Sequence, residues 1–269
     1  MINFSELLWK PQGRTRPSSK SGIQTFDETE LSPSLGQIPV EQVRIEPQSR
    51  LVALTNPRSP GSDRFRYLRM RLGEVREMAK LRSLVITSPL PQDGKSTVVL
   101  NLATVLAEGG KWSVLVIDAD LYHPALAQRL GVESQPGLSD CLDGTLDPMM
   151  AIRRIEPLHW YLLQAGTSRG NPAELLQSGN LATVLEKLSS HFDWILIDTP
   201  PVGPLADTVT ISRRVDACLL VVRADHTPRE AVKEALSVLG TKQVLGVVFN
   251  AAEELNQSYS KYYGHYYKK

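Results

Sequence analysis

Between residues 81 and 250, six short apolar runs alternate with segments of helical periodicity, and this alternation limits the fold more than any other feature. The runs span residues 83–88, 113–118, 160–165, 194–198, 217–223 and 244–250. They are rich in Val, Ile and Leu without strict alternation, which is typical of strands covered on both faces. Strands that alternate with helices form βαβ units. The sequence therefore predicts an α/β fold of three layers, with helices on both sides of a mainly parallel sheet.

The chain divides into three predicted parts: an N-terminal extension at 1–45, a domain at 46–255 and a flexible tail at 256–269. Residues 1–45 carry Pro11, Pro17, Pro33 and Pro39 among Ser, Gly and charged residues, and hold no period for long. Such a segment is expected to lie outside the core and to be disordered. Residues 50–55 are predicted as a short strand or an extended arm. Helices are expected from 62 to about 78, over 95–108 and from the Thr227-Pro228 cap to about 239.

Composition excludes several classes of protein. The 30 Lys and Arg balance 29 Asp and Glu to a net charge of +1, which excludes a generally basic nucleic-acid coat, so no nucleic-acid partner is expected. The apolar runs fall short of the ~18 residues that cross a bilayer. Two cysteines are too few for a disulfide framework and indicate a reducing compartment. We therefore expect a cytoplasmic protein.

The first strand leads into a phosphate-binding sequence. Gly94-Lys95-Ser96-Thr97 stands between a predicted strand and a predicted helix. Phosphate is bound by backbone N–H groups at a helix start, by a lysine and by a hydroxyl that also holds Mg²⁺. Pro89 occupies the position of the first Gly of the general motif. The alternative is a chance match to the motif, but few chance matches would fall between a predicted strand and a predicted helix.

Three aspartates follow the ends of two other strands. Asp118 ends the run at 113–118, and Asp120 follows it by two residues. Asp198 ends the run at 194–198. Ligands of open parallel sheets bind beyond the carboxyl ends of the strands, so these acids are expected to converge on the loop at 89–97. There they can hold Mg²⁺ or accept a proton from an attacking hydroxyl. The alternative is that they cap helices or pair with nearby Lys and Arg.

The C-terminal tail is unusually rich in tyrosine. Five of the eight tyrosines of the chain lie within nine residues, at Tyr259, Tyr262, Tyr263, Tyr266 and Tyr267. Ser, Lys, Gly and His interrupt them, so the segment does not have the pattern of a buried strand. Beside a nucleotide site these hydroxyls are candidate phosphoryl acceptors, each phosphate adding about −1.5 to −2 charges. The alternative is an interaction tail without covalent chemistry.

Together these residues resemble the bacterial tyrosine kinases of capsule and exopolysaccharide synthesis, in their soluble single-domain form. Residues 88–97 (SPLPQDGKST) are similar to Walker A, 114–124 (VLVIDADLYHP) to the second acidic motif, A′, and 195–201 (ILIDTPP) to Walker B. The terminal tyrosines match the acceptor cluster of that family. Asp63, Arg66 and Arg69 are similar to its Glu-x-x-Arg-x-x-Arg helix for ring assembly. The resemblance implies a P-loop NTPase fold.

The resemblance also implies roles for individual residues. The residues expected to bind ATP are Gln92, Asp93, Gly94, Lys95, Ser96, Thr97 and Asn250. Lys95 would bind the β- and γ-phosphates, and Asn250 would contact adenine. Ser96, Asp120 and Asp198 would hold Mg²⁺, while Asp118 would orient or deprotonate the tyrosine hydroxyl.

The implied reaction is autophosphorylation between the subunits of a homo-oligomeric ring, one tail entering its neighbour's site. The family implies three further associations: a membrane polysaccharide copolymerase as activator, a cognate tyrosine phosphatase, and recruitment to the inner face of the cell membrane by a partner. The cycle would control polymerisation and export of the polysaccharide.

Three residues depart from the family pattern and leave two other functions open. Gln92 replaces a Gly, Tyr122 replaces an Arg of the A′ motif, and Asp63 replaces a Glu. Losing a charge that stabilises the transition state costs roughly a thousandfold in phosphoryl transfer. One alternative is therefore a catalytically weak nucleotide-binding scaffold. The other is an ATPase switch of the septum-positioning or partition type, although Leu90 and Pro91 stand where those proteins have a signature Lys.

Overall fold

The computed structural model describes residues 34–46, 49–167, 170–203 and 206–252. Its eight strands are β1 (Val40–Gln42), β2 (Ser83–Thr87), β3 (Val114–Asp118), β4 (Arg153–Glu156), β5 (Trp160–Leu163), β6 (Trp194–Asp198), β7 (Ala217–Arg223) and β8 (Val244–Asn250). The α-helices are α1 (Val52–Thr55), α2 (Pro60–Ala79), α3 (Lys95–Ala107), α4 (Leu126–Leu130), α5 (Leu138–Leu142), α6 (Pro148–Ala151), α7 (Pro172–Gln177), α8 (Asn180–Ser189), α9 (Asp207–Ser212) and α10 (Arg229–Leu239). In these ranges no helix is both long and apolar enough to span a bilayer.

All eight strands form one sheet in the order β1-β4-β5-β3-β6-β2-β7-β8. The six neighbouring strands β5-β3-β6-β2-β7-β8 are parallel to one another. Strand β4 pairs with β5 in the antiparallel sense. These six are the six apolar runs of the sequence, so the predicted α/β fold with a mainly parallel sheet is confirmed. Because β2, β3 and β6 are neighbours, their carboxyl ends meet at one edge.

Helices cover both faces of the sheet, as the unbroken apolar strands require. Along β6, Trp194 and Leu196 enter the core beneath α1, α2 and α3, while Ile195 and Ile197 enter the core beneath helices α5 to α10. Strand β3 alternates in the same way between the two cores. Side chains of adjacent strand residues point to opposite faces, so a continuous apolar strand supplies two cores at once.

The N-terminal boundary differs from the predicted extension at 1–45. Residues 1–33 lie outside the described residues, but Val40–Gln42 forms strand β1, which pairs with β4 in the parallel sense. Ile38 is buried beside it. Both β1 and β4 are short and polar and lie at the end of the sheet, so neither carries the apolar signal of the central strands. Residues Val52–Thr55 form a helical turn, so the predicted strand or arm at 50–55 is wrong.

Helix α2 carries the three residues predicted to assemble a ring, and two of them hold α2 against the end of α3. Arg66 makes two close contacts with Glu108, Nη2 to Oε1 at 2.8 Å and Nε to Oε2 at 3.1 Å. Arg69 Nη1 lies 2.8 Å from Glu108 Oε2 and also donates to the Val105 carbonyl at 2.8 Å. Asp63 lies 3.4 Å from Arg66. Within the subunit, these arginines therefore join two helices.

Replacing Glu108 by Ala is expected to lower the free energy of unfolding by about 1–2 kcal/mol, because two partly buried guanidinium groups lose a shared carboxylate. Urea denaturation measures the change. Glu74→Ala is the matched control, since the Arg71–Glu74 pair on α2 is more exposed and its loss is expected to cost less than about 0.5 kcal/mol. Equal losses in the two variants would show that the Glu108 contacts are no stronger than an ordinary surface pair.

Candidate active site

The loop between β2 and α3 is built for a phosphate. Helix α3 begins at Lys95, and its N-cap residue Gly94 has φ +98°, a left-handed conformation that glycine adopts without steric cost. A Cβ atom at Gly94 would lie 2.0 Å from Nδ2 of Asn250. The backbone here is therefore packed too closely for any side chain. The free N–H groups of the first helical turn open toward the carboxyl edge of the sheet.

Polar groups brace this loop from β8 and from the turn that follows β7. The carboxylate of Asp93 accepts hydrogen bonds from the Leu90 N–H at 3.0 Å and from the Thr227 hydroxyl at 2.7 Å. The carbonyl of Asp93 accepts a hydrogen bond from Asn250 Nδ2 at 2.8 Å. Both Asp93 and Asn250 were predicted to contact nucleotide. The Asp93 side chain points into the protein and stabilises the loop, and the Asn250 amide donates to the loop, so the nucleotide contacts of these two residues remain predictions.

Gln92 takes a conformation that suits glycine. Its φ is +66°, which costs a residue with a side chain about 1 kcal/mol or more. Its side chain is exposed. This left-handed backbone explains why the family that the chain resembles has Gly at this position. The chain accommodates Gln92 there at the cost of some backbone strain.

Lys95 joins two of the predicted aspartates. Its Nζ lies 3.2 Å from Oδ2 of Asp120 and 3.9 Å from Oδ1 of Asp198. Asp198 ends β6, and Asp118, opposite it in the register, ends the neighbouring strand β3. The predicted convergence of Lys95 with the three acids is therefore present in the fold. The alternative contacts are present as well, since Asp118 accepts hydrogen bonds at the start of α4 and Lys95 pairs with Asp120 and Asp198, but all three acids are buried rather than on the surface.

Asp198 is a buried carboxylate that lacks hydrogen bonds of normal geometry. Neither of its oxygens has such a partner among the described residues. Burial raises its pKa to about 7, with the Lys95 ammonium and the nearby Ser96 hydroxyl opposing the rise and Asp118 adding to it. A buried carboxylate without hydrogen bonds is costly to a fold unless something binds it. This carboxylate is therefore available to an incoming cation or hydrogen-bond donor.

Asp118 is buried but well bonded. Its Oδ2 accepts hydrogen bonds from the N–H groups of Ala125 at 3.1 Å and Leu126 at 3.0 Å, and its Oδ1 accepts one from the Asp120 N–H at 3.3 Å. Burial raises its pKa to about 6, while these hydrogen bonds oppose the rise. Asp118 thus fixes the start of α4 and remains mostly ionised at neutral pH.

Comparison with known proteins agrees with this geometry. A family model described as ParA, NUBPL iron-transfer P-loop NTPase, matches residues 83–267. The tyrosine-protein kinase YwqD of Bacillus subtilis is 32% identical over 81% of this chain and 92% of its own length. The chain belongs to the bacterial tyrosine-protein kinase family. It is a protein-tyrosine kinase built on a P-loop NTPase domain, and the predicted resemblance is confirmed.

Two further relatives extend the comparison. The succinoglycan biosynthesis transport protein ExoP of Rhizobium meliloti is 30% identical over 80% of the kinase, which spans 30% of ExoP. The kinase domain of the Escherichia coli tyrosine kinase ETK superposes with a TM-score of 0.70 at 28% identity, covering 76% of this chain and 82% of that one. Kinase names across the whole domain favour the kinase over a partition-type ATPase switch, although both share a ParA-type domain.

The kinase site also contains a residue that the sequence motifs did not predict. Asp207, at the start of α9, is buried and its Oδ2 has no hydrogen-bond partner among the described residues. Burial and the nearby Asp120 raise its pKa, and a hydrogen bond from the Tyr122 hydroxyl opposes the rise. Tyr122, which stands in place of the family's Arg, thus faces a carboxylate across the site. No sequence motif predicted Asp207 as a site residue, because its distance from Asp120 depends on the path of the chain between β6 and α9.

The tyrosine cluster of the kinase lies outside the described residues. The positions Tyr259, Tyr262, Tyr263, Tyr266 and Tyr267 follow residue 252, where the described part ends two residues after strand β8. Asn250, the last residue of β8, donates to the phosphate loop, so the described part of the chain ends at the same edge of the sheet as the site. Its predicted role as phosphoryl acceptor remains a prediction.

Proposed function

We propose that the kinase transfers the γ-phosphoryl group of ATP to its own C-terminal tyrosines, between the subunits of a ring. The observation that carries the proposal is the meeting of Lys95 with Asp120 and Asp198, at 3.2 and 3.9 Å, beside a phosphate loop. In this assignment the loop at 88–97 cradles the phosphates and Lys95 neutralises the β- and γ-oxygens. Ser96, at the first turn of α3, would hold the metal through its hydroxyl.

The residues of the site fit Mg²⁺. Asp198 offers two buried oxygens without hydrogen-bond partners, and Asp120 and the Ser96 hydroxyl complete an all-oxygen set of the kind that Mg²⁺ prefers. Within the described ranges no group of three acidic, histidine or cysteine side chains forms a metal cage. That is expected for Mg²⁺, which is held by one or two carboxylates, water and substrate phosphates. When bound, the ion would neutralise charge on the transferred phosphoryl group.

Asp118 is the group best suited to receive the proton of the tyrosine. Burial raises the pKa of Asp118 to about 6, so its carboxylate is ionised at neutral pH. This pKa is closer than that of an exposed Asp to the neutral value at which a general base works best. In the transfer, the tyrosine oxygen forms a bond to the γ-phosphorus, the bond from phosphorus to the β,γ-bridging oxygen breaks, and the proton passes to Asp118. The backbone hydrogen bonds to Asp118 keep its carboxylate in place throughout.

The cellular role that we propose is control of exopolysaccharide or capsule polymerisation and export. The name of ExoP, a succinoglycan biosynthesis transport protein with a region similar to this kinase, supports it. ExoP is also longer than the kinase region that it shares, which supports a membrane copolymerase as the partner that recruits and activates the kinase. A cognate phosphatase would reset the tail.

Incubation with Mg·ATP, followed by intact-mass and tail-peptide mass spectrometry, tests the proposal. We expect several phosphates on residues 259–267 and none in Lys95→Met, which lacks the ammonium that neutralises the β- and γ-oxygens. A mixture of Lys95→Met with a wild-type chain lacking residues 256–269 separates transfer between subunits from transfer within one. Phosphate on the Lys95→Met tail in that mixture is expected for transfer between subunits. Bound nucleotide without phosphotyrosine in the wild type would contradict the proposal and favour the scaffold.

A further inference from the structure

We propose that Arg129 binds a phosphate oxygen of the nucleotide and is a further binding residue of the kinase. The inference rests on the proposed function, because it requires nucleotide in the loop at 88–97. Arg129 is exposed in the last turn of α4, and its Nη1 lies 3.5 Å from the hydroxyl oxygen of Thr97. Thr97 belongs to the first turn of α3, where phosphate binds. A guanidinium group therefore stands at the edge of the phosphate loop.

Helix α4, which carries Arg129, is firmly held although it is short. The N–H groups of Ala125 and Leu126 at its start donate to Asp118. Leu126 and Leu130 are fully or almost fully buried in the core shared with α3. The backbone of Arg129 is thus fixed from both ends, and binding a ligand would require ordering only its side chain.

The charge balance of the site favours a further cation beside Lys95 and the proposed Mg²⁺. Lys95 is already shared between Asp120 and Asp198, and Asp207 adds another buried carboxylate. A polyphosphate brings more negative charge into the same space, which costs free energy unless cations meet it. The resembled family has an Arg in the A′ motif where this chain has Tyr122. Arg129 supplies a positive charge to the same edge of the site from eleven residues after Asp118.

The present contact of Arg129 leaves it available. Its single side-chain interaction among the described residues is the long, neutral contact with the Thr97 hydroxyl. A phosphate oxygen would replace that contact with a shorter, charge-assisted hydrogen bond, which is roughly twice as strong. The planar fork of a guanidinium suits phosphate better than the point charge of lysine.

Calorimetric titration with Mg·ADP tests the assignment. Arg129→Gln is expected to weaken binding about tenfold, and Arg129→Lys to recover part of the loss. Arg213→Gln is the matched control, because Arg213 is also exposed at a helix end but precedes β7, at the opposite edge of the sheet. In autophosphorylation, the KM for ATP should rise in Arg129→Gln while kcat changes little.

Equal affinity for Mg·ADP in Arg129→Gln and Arg213→Gln would overturn the assignment. So would a lower kcat with an unchanged KM, since that result would give Arg129 a role only in the transition state. The wild-type titration separates this inference from the proposed function. If the wild type does not bind Mg·ADP, the proposed function itself is wrong. If the wild type and Arg129→Gln bind it equally well, only the assignment of Arg129 is wrong.

Discussion

Replacement of Gly94 by Ala is expected to abolish nucleotide binding, with a loss of more than about a hundredfold in affinity for Mg·ADP. The added Cβ would stand 2.0 Å from Nδ2 of Asn250, far closer than two non-bonded atoms can approach, so one of them must move. Moving Asn250 aside would break its hydrogen bond to the Asp93 carbonyl, so the loop loses its brace from β8. The φ of +98° adds strain for any residue with a side chain. We expect the free energy of unfolding to fall by roughly 2–4 kcal/mol.

Two variants separate the steric clash from the backbone strain. Gly144 has φ +83°, and no atom lies within 4 Å of the position that a Cβ would take there, so Gly144→Ala carries the strain without the clash. It should cost only about 1–2 kcal/mol and leave affinity for nucleotide unchanged. Adding Asn250→Ala to Gly94→Ala removes the clashing atoms, and the double variant should be less unstable than the two single losses added together. Additive losses would show that the contact between Gly94 and Asn250 is not the cause.

Replacement of Asp198 by Asn is expected to inactivate the kinase while stabilising it. Activity should fall by about a thousandfold or more, because a carboxylate assigned to the metal and the phosphoryl charge is lost. The buried carboxylate has no hydrogen bond of normal geometry, and burial disfavours its ionised form in the folded state, raising its pKa to about 7. A neutral amide of the same shape removes that cost. At pH 8 without Mg²⁺ or nucleotide, the gain in free energy of unfolding should be roughly 2–4 kcal/mol.

The gain should depend on pH in a defined direction. Because the pKa of Asp198 is raised in the folded state, the unfolded chain ionises first, and wild-type stability falls as pH rises from about 4 to about 7. Above that range the cost is complete and constant. Asp198→Asn does not titrate there, so its advantage should be small at pH 4.5, grow to pH 7 and then level off. Urea denaturation at several pH values measures the curve.

Asp118→Asn is the control for the stabilising effect. Asp118 is also buried with a raised pKa, but its oxygens accept three backbone hydrogen bonds. An amide nitrogen in place of one oxygen would face an N–H donor, at a cost of about 1–3 kcal/mol. The gain in Asp118→Asn should therefore be smaller than in Asp198→Asn, or reversed. Equal gains would mean that hydrogen bonding does not distinguish the two carboxylates.

The amino-acid sequence by itself determined the layers of this protein and the chemistry of its loop. The six central strands and α2, α3 and α10 follow from local apolar patterns, since burial on both faces leaves a continuous run and burial on one face leaves a helical period. The strand-end acids followed too, because parallel strands bring their carboxyl ends to one edge. These signals are local, and each is complete within a short stretch of chain.

The tertiary structure alone decided which distant side chains meet. Asn250 reaches the loop because β8 lies beside β7, the neighbour of β2, and Asp207 comes near Asp120 because α9 follows β6. The strands β1 and β4 depend on pairing at the edge, where little apolar surface is buried and no periodic pattern forms. Arg129 stands at the loop because Asp118 anchors α4. Such contacts join residues far apart in the chain, and their energy comes from burial and hydrogen bonds that exist only once the sheet has formed.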